Sequence, residues 1–198
     1  MSVATGELDT LLAARAGDHA AGRALVVAHG PAMKRTAWSV LGRYGSTAAD
    51  DVVQEALVAA LTTSALPRGD VGAWLRSITA RKALDWLRQL RQRREDPLPE
   101  AGAVTEPAAQ DRVERVLDVL SLRRALATLS ATDRAVLVLA DVEGLSMAEV
   151  SQALGLTQIA VRLRASRARR KLRGLLDKVP PRAGTSGESR EDADAQER

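Results

Sequence analysis

The chain has 198 residues, of which 45% are hydrophobic, 27% charged and 2% aromatic, the composition of an ordinary globular protein. This length accommodates two small domains, each able to bury a core of packed helices. The sequence contains no cysteine, which excludes disulfide scaffolds, thiolate metal sites and cysteine nucleophiles. It shows neither a signal-peptide pattern nor an apolar run of the roughly 18 residues that span a bilayer, so we expect a soluble, cytoplasmic protein without membrane insertion.

The net charge of +4 is modest, but the basic residues are concentrated in two blocks. Residues Val161 to Arg173 contain seven basic side chains and no acidic one, and residues Arg81 to Arg94 contain six basic side chains and one acid. The bias of a GC-rich genome accounts for the excess of arginine over lysine, but it would not remove acids from one stretch. Blocks of this kind can neutralise several phosphates, so the sequence favours nucleic acid as a partner.

The first part of the chain is predicted to be all-helical, because apolar residues recur at helical spacing. Turn residues at Gly30-Pro31, Gly42 to Ser46 and Pro67 to Asp70 predict four helices, near residues 8–28, 32–42, 47–62 and 70–92. Within the third helix, the residues expected to face the core are Val52, Ala56 and Ala60. Residues 1–94 are therefore predicted to form a first domain.

Residues 95–111 have the composition of a flexible linker, with three prolines and little periodicity. Helical patterning resumes after them, which predicts a second domain over residues 112–178. Residues 179–198 have the composition of a disordered tail, whose acidic end either solubilises the chain or folds back on the arginine block. The predicted fold class is all-α, with two small helical domains joined by the linker.

The most specific local pattern lies in the second domain. Ser146 precedes Glu149 by three residues, the spacing of a capping box, so a helix should begin there with Met147, Val150 and Leu154 on one side. Gly155 is expected to end this helix in a sharp turn. Thr157 can cap a second helix, in which the residues spaced for burial are Val161, Ala165, Ala168 and Leu172.

These features predict a helix-turn-helix, whose second helix fits the major groove of DNA. The residues alone leave alternatives open. One is a helical hairpin with a solvated charged face, and another is a helix that binds RNA, an acidic protein or a membrane. The apolar face lacks the Trp or Phe anchors typical of membrane binding.

The second domain resembles the promoter-binding domain of bacterial extracytoplasmic-function sigma factors, of the sigma-70 type, across LSATDRAVLVLADVEGLSMAEVSQALGLTQIAVRLRASRARRKLRGLL. The first domain is similar to the N-terminal domain of that family in LLAARAGDHAA, ADDVVQEALVAAL and GAWLRSITARKALDWLRQLR. The resemblance covers about residues 8–94 and 117–176. It implies a transcription initiation factor with no enzymatic activity, cofactor or metal of its own, which directs RNA polymerase to promoters by their −35 and −10 elements.

The resemblance also implies three sets of site residues. The surface that docks on the clamp helices of the polymerase corresponds to Asp51, Gln54 and Glu55. The segment that recognises and opens the −10 element corresponds to Arg76, Arg81, Lys82, Asp85 and Arg88. The recognition helix for the −35 element corresponds to Thr157, Gln158, Ala160, Arg162, Arg164, Ser166, Arg167 and Arg170.

Several of these residues have a second interpretation. The acidic residues of the third helix could simply be a solvated helix start that favours the helix dipole. Trp74 is expected to be a core residue, whereas Trp86 either stacks on an unpaired base or packs inside the domain. Ile159 and Leu163 stand where the family commonly has Gly and Ser, so the resemblance does not establish which −35 sequence this chain prefers.

The partners implied are the largest and second-largest subunits of core RNA polymerase, promoter DNA and an anti-sigma factor, with no obligate homo-oligomer. Two other functions remain open at this stage. A stand-alone helix-turn-helix regulator would bind DNA tightly without polymerase, as a dimer on a symmetric operator. A pure protein-interaction adaptor would show no salt-sensitive DNA binding.

Overall fold

The computed structural model describes residues 3–67, 69–93 and 125–176, and within these ranges the chain forms helices and no β-strand. The predicted all-α fold is confirmed for this part of the chain. The predicted linker (95–111), the first residues of the predicted second domain (112–124) and the predicted tail (179–198) lie outside the described residues. None of the described helices is long and apolar enough to cross a bilayer.

The first domain contains four α-helices: α1 (Val3–Arg15), α2 (His19–Leu41), α3 (Gly45–Thr62) and α4 (Val71–Gln92). The predicted break at Gly30-Pro31 is wrong, because α2 continues through Pro31. The chain breaks instead at Gly17, where φ is 96°. The Asp18 side chain then accepts hydrogen bonds from the amides of Ala20 (2.7 Å) and Ala21 (3.1 Å), which caps α2. Proline costs a helix one amide donor, and α2 accommodates this loss within its length.

The four helices pack around small and aliphatic side chains. The prediction that Val52, Ala56 and Ala60 face the core is confirmed, since each is fully buried. Trp74 is half-buried against the cluster that contains Ala56 and Ala60, and the Arg15 guanidinium lies 5.6 Å from its ring centre. Trp74 therefore packs within the domain, as its spacing predicts.

The second domain contains α5 (Ala131–Leu137), a π-helical segment (Val138–Val142), α6 (Met147–Leu154) and α7 (Gln158–Leu176). The predicted capping box is present: the Glu149 amide donates to the Ser146 hydroxyl (3.3 Å), and the Ser146 amide donates to the Glu149 carboxylate (2.8 Å). Hydrogen bonding to the hydroxyl and the amide of Ser146 lowers the pKa of Glu149. Gly155 ends α6 with φ at 65°, in the left-handed region that favours glycine.

The start of α7 completes the predicted helix-turn-helix. The Ala160 amide donates to the Thr157 hydroxyl at 3.2 Å, so Thr157 caps α7 as expected. The predicted buried row is confirmed, with Val161, Ala165 and Ala168 buried and Leu172 half-buried. This row fixes which face of α7 turns outward.

The two domains share one apolar core, to which α2, α3, α4, α5, α6 and α7 all contribute buried residues. Buried Arg134 of α5, in the second domain, also contacts the first domain: its Nε and Nη2 donate to the Val40 carbonyl at 2.9 and 2.6 Å. Val40 lies in the last turn of α2, where helix carbonyls lack partners within the helix. Gly42 leaves room for the guanidinium, since a Cβ there would lie 3.1 Å from Arg134 Cζ. Burial, followed by the charges of Arg43 and Arg91, lowers the pKa of Arg134.

Candidate functional site

Asp51, Gln54 and Glu55 lie together on one exposed face of α3. Residues three and four apart are neighbours on a helix, and the intervening Val52 faces the core. The three side chains line a groove between α3 and α4, and Val58 extends this face. Val58 is 60% exposed and was not among the predicted site residues, although it stands three and four residues after Glu55 and Gln54. We call this surface the α3 acidic face.

The α3 acidic face adjoins the residues predicted to contact the −10 element. Lys82 of α4 lines the same groove, and its Nζ lies 3.7 Å from the Glu55 carboxylate. Both side chains are partly exposed, so this ion pair contributes at most about 1 kcal/mol and can exchange for other partners. The predicted polymerase surface and the predicted DNA surface therefore meet at Lys82.

On α4, the structure brings together some of the predicted −10 residues and separates another. Arg81, Asp85 and Arg88 follow the i, i+4, i+7 spacing of one helical stripe, and Arg88 forms an ion pair with Asp85 at 2.6 Å. Arg76 lies five residues before Arg81 and falls off this stripe. The predicted set is thus a stripe with Lys82 beside it, while Arg76 stands apart.

Trp86 already has an aromatic neighbour. It is half-buried against the shared core, and its ring centre lies 5.6 Å from that of Tyr44 at an interplanar angle of 55°. A tilted pair at this distance is a favourable aromatic contact. This geometry favours packing of Trp86 inside the protein over stacking on an unpaired base.

Arg76 faces the second domain instead of solvent. Its Nε lies 2.5 Å from Oε2 of Glu143, and the two side chains are only 18% and 13% exposed. This buried nitrogen makes no hydrogen bond of ordinary geometry, so the contact is an ion pair. The other carboxylate oxygen of Glu143 accepts a hydrogen bond of 2.7 Å from the Thr36 hydroxyl. Glu143 therefore joins the second domain to both α2 and α4.

Arg81 makes a second contact between the domains. Its Nε and Nη2 donate to the carbonyls of Ala153 and Gln152, each at 2.6 Å, at the C-terminal end of α6. A cation is favoured there by the helix dipole and by the unpaired carbonyls. Two of the predicted −10 residues, Arg76 and Arg81, are thus held by the second domain. We call this arrangement the closed arrangement.

The basic residues of α7 fall into two groups. Arg164 pairs with Asp133 at 2.8 Å, Arg169 pairs with Asp141, and Lys171 donates to the Thr128 carbonyl at 2.6 Å. Hydrogen bonding to Asp141 raises the pKa of Arg169. By contrast, no ion pair or side-chain hydrogen bond within the described ranges engages four exposed arginines, Arg162, Arg167, Arg170 and Arg173.

The remaining residues predicted to meet the −35 element are distributed around the start and middle of α7. Gln158 and Ser166 are exposed, Ala160 is half-buried, and Thr157 caps the helix. Two apolar side chains that were not in the predicted set, Ile159 and Leu163, are also exposed on this helix. The outward face of α7 therefore combines unpaired cations, small polar groups and apolar groups.

Each of the two domains matches a known protein-family model. The model of sigma-70 region 2 matches residues 25–94, and the model of sigma-70 region 4 matches residues 120–172. The two matches lie in the order of the two predicted domains, and each falls within the predicted bounds, 1–94 and 112–178.

Curated proteins of similar sequence are sigma factors. RNA polymerase sigma factor CnrH of Cupriavidus metallidurans is 35% identical over 186 residues, which cover 86% of this chain and 95% of CnrH. ECF RNA polymerase sigma factor SigL of Mycobacterium tuberculosis is 32% identical over 170 residues, which cover 84% of this chain and 94% of SigL. ECF RNA polymerase sigma factor SigM of the same species is 34% identical over 130 residues, a match that spans 65% of this chain and only 64% of SigM.

Two solved structures share the fold. The sigma factor RpoE of Bartonella quintana, in complex with the anti-sigma factor NepR, superposes with a TM-score of 0.63 at 26% identity and covers 80% of this chain and 98% of RpoE. CnrH in complex with the cytosolic domain of CnrY superposes with a TM-score of 0.59 at 30% identity, and the match covers 88% of this chain and 99% of CnrH.

Proposed function

Since this chain belongs to the extracytoplasmic-function (ECF) subfamily of sigma-70 RNA polymerase sigma factors, we propose that it is an alternative sigma factor. In this proposal the first domain binds core RNA polymerase and opens the −10 element. The second domain recognises the −35 element. The protein catalyses nothing itself, because RNA synthesis is carried out by the polymerase.

The observation that carries this proposal is the outward face of α7. It presents Arg162, Arg167 and Arg170 without intramolecular partners in the described ranges, on the second helix of a helix-turn-helix. Arginine suits both phosphates and the O6 and N7 edge of guanine. The internally paired Arg164 instead supports the position of α7 on α5, through Asp133.

The α3 acidic face is the proposed docking surface for the clamp helices of the largest polymerase subunit. Asp51, Gln54 and Glu55 are exposed, adjacent and fixed on a rigid helix, so they need little reorganisation to bind. Val58 adds an apolar group that a protein partner can cover. On α4, Lys82 lies next to this surface, and Asp85 and Arg88 follow it along the same helix, where opened promoter DNA would pass.

The closed arrangement must open before both promoter elements can be bound. By their names the elements lie about 25 base pairs apart, which is about 85 Å of B-DNA at about 3.4 Å per base pair. A globular body of this chain's size is only about 40 Å across. In addition, Arg76 is only 18% exposed beside Glu143, and Arg81 uses its Nε and Nη2 on carbonyls of the second domain, so the closed arrangement leaves these two guanidinium groups less able to contact DNA. We therefore assign the closed arrangement to the free protein and expect weak promoter binding without polymerase.

The proposal includes an inhibitor. The RpoE and CnrH structures are complexes with NepR and with the cytosolic domain of CnrY. By similarity, an anti-sigma factor is proposed to hold this chain inactive in the cytoplasm, and its release to bring the chain to polymerase and to the nucleoid. The second-largest polymerase subunit is the further proposed contact.

Titration of the labelled chain with bacterial core polymerase tests the docking surface. The charge-reversed variant Asp51→Lys, Glu55→Lys should bind core polymerase at least tenfold more weakly than the wild type. Asp9→Lys, which reverses an exposed charge on α1, is the matched control and should bind normally. Equal binding by all three proteins would refute the assignment of the α3 acidic face, and tight DNA binding with no polymerase binding would favour a stand-alone regulator.

A further inference from the structure

Ile159 and Leu163 occupy the centre of the outward face of α7. Each lies two residues from buried Val161, and two residues correspond to about 200° of rotation around a helix. The two side chains are four residues apart, so they are neighbours on the same stripe. They are 77% and 48% exposed. This pair therefore points almost directly away from the core of the protein.

Cations surround this apolar pair. Arg162 and Arg167 lie on either side of its stripe, Arg170 continues it, and residues 158–176 contain no Asp or Glu. A surface that is apolar at its centre and cationic at its edges is complementary to a ligand with apolar groups inside an anionic rim. The major groove of DNA has this form, because the C5-methyl groups of thymine lie on its floor between two rows of phosphates.

We propose that Ile159 and Leu163 contact thymine methyl groups in the −35 element and so determine part of its sequence preference. The two side chains are about 6 Å apart along the helix axis, at about 1.5 Å per residue. That distance corresponds to about two base pairs at about 3.4 Å each. The −35 element of this sigma factor therefore contains one or two A·T pairs, within about two base-pair steps of each other, opposite the N-terminal half of α7, and Arg162 and Arg167 hold the flanking backbone. This inference rests on the proposed function and adds the base class that α7 recognises.

A promoter library with a randomised −35 region, transcribed by core polymerase with this chain, locates those A·T pairs. Deoxyuridine then replaces thymidine at the selected positions, which removes the methyl group and leaves base pairing intact. Each replacement should weaken binding by the wild-type holoenzyme about fourfold, the effect of exposing one methyl-sized apolar group. Ile159→Ala, Leu163→Ala should bind the thymidine promoter more weakly and should no longer distinguish it from the deoxyuridine promoter.

The control variant is Val27→Ala, which removes a 78% exposed apolar side chain from α2 and should discriminate like the wild type. If the wild-type holoenzyme binds both promoters equally, the inference is wrong while the proposed function stands. The same holds if the Ala variant weakens binding to an inhibitor protein but discriminates thymidine normally. If no promoter in the library yields a transcript that depends on this chain, the proposed function itself fails.

Discussion

Replacement of Glu143 by alanine should open the closed arrangement. Its carboxylate contacts Arg76 at 2.5 Å and Thr36 at 2.7 Å, and these are contacts between the domains. Loss of one partner of a buried ion pair costs about 3–5 kcal/mol. Two features make the expected cost smaller here. Asp70 remains 3.8 Å from Arg76, and domain separation exposes the guanidinium to water. We therefore expect Glu143→Ala to destabilise the closed arrangement by about 2–3 kcal/mol, less than the full cost of an unpaired buried charge. That corresponds to a shift of about 30- to 150-fold towards open forms.

Distance measurement between two spin labels or fluorophores tests this shift. The sequence has no cysteine, so labels attach only at introduced ones, for example Val27→Cys on α2 and Arg173→Cys on α7. The wild type should give one narrow distance distribution, and the Glu143→Ala protein a broader one that extends to longer distances. Lys34→Ala breaks the exposed Lys34–Asp50 pair inside the first domain and should leave the distance unchanged. If the distance distribution of the Glu143→Ala protein equals that of the wild type, the proposed role of the Arg76–Glu143 ion pair is refuted.

Three further predictions concern the helix-turn-helix. Ser146→Ala removes the cap of α6 and should cost about 1 kcal/mol, lowering the Tm in thermal melts by several degrees; an unchanged Tm would contradict the role of the cap. Because the folded pKa of Glu149 lies below its usual 4.5, its charge stabilises the fold above that pH and the stabilisation is lost as pH falls through the folded pKa. The Tm gap between wild type and Glu149→Gln should therefore be present at pH 7 and shrink as the pH falls below 4.5 and through the lowered pKa. The affinity of the holoenzyme for promoter DNA falls as salt rises, and Arg162→Ala should reduce the slope of log affinity against log salt concentration by about 1. A slope equal to that of the wild type would place Arg162 away from phosphates.

Local patterns predicted local structure well. The capping box of Ser146 and Glu149, the turn at Gly155 and the buried row that begins at Val161 all depend on residues close together in sequence. Pro31 shows the limit of such patterns, because a proline can end a helix or be accommodated within one. The break lies instead at Gly17, whose φ is positive, and the Asp18 side chain caps the start of α2.

Contacts between distant residues could not be predicted from spacing. Glu143 and Thr36 are 107 residues apart, and Arg134 and Val40 are 94 residues apart, so no periodicity connects them. The same limit applies within α7. Arg162 and Arg164 look equivalent in the sequence, but the structure places Asp133 beside Arg164 alone. Fold and domain order therefore followed from the sequence, whereas the division of arginines into structural and free groups required the packed structure.

Run-off transcription with bacterial core polymerase tests the central claim most directly. Reactions with and without this chain would use a pool of promoters from its own genome, beside the Asp51→Lys, Glu55→Lys variant. The account predicts promoter-selective transcripts that require the chain and disappear with the variant. Transcripts that are independent of the chain, or that persist undiminished with the charge-reversed variant, would contradict it.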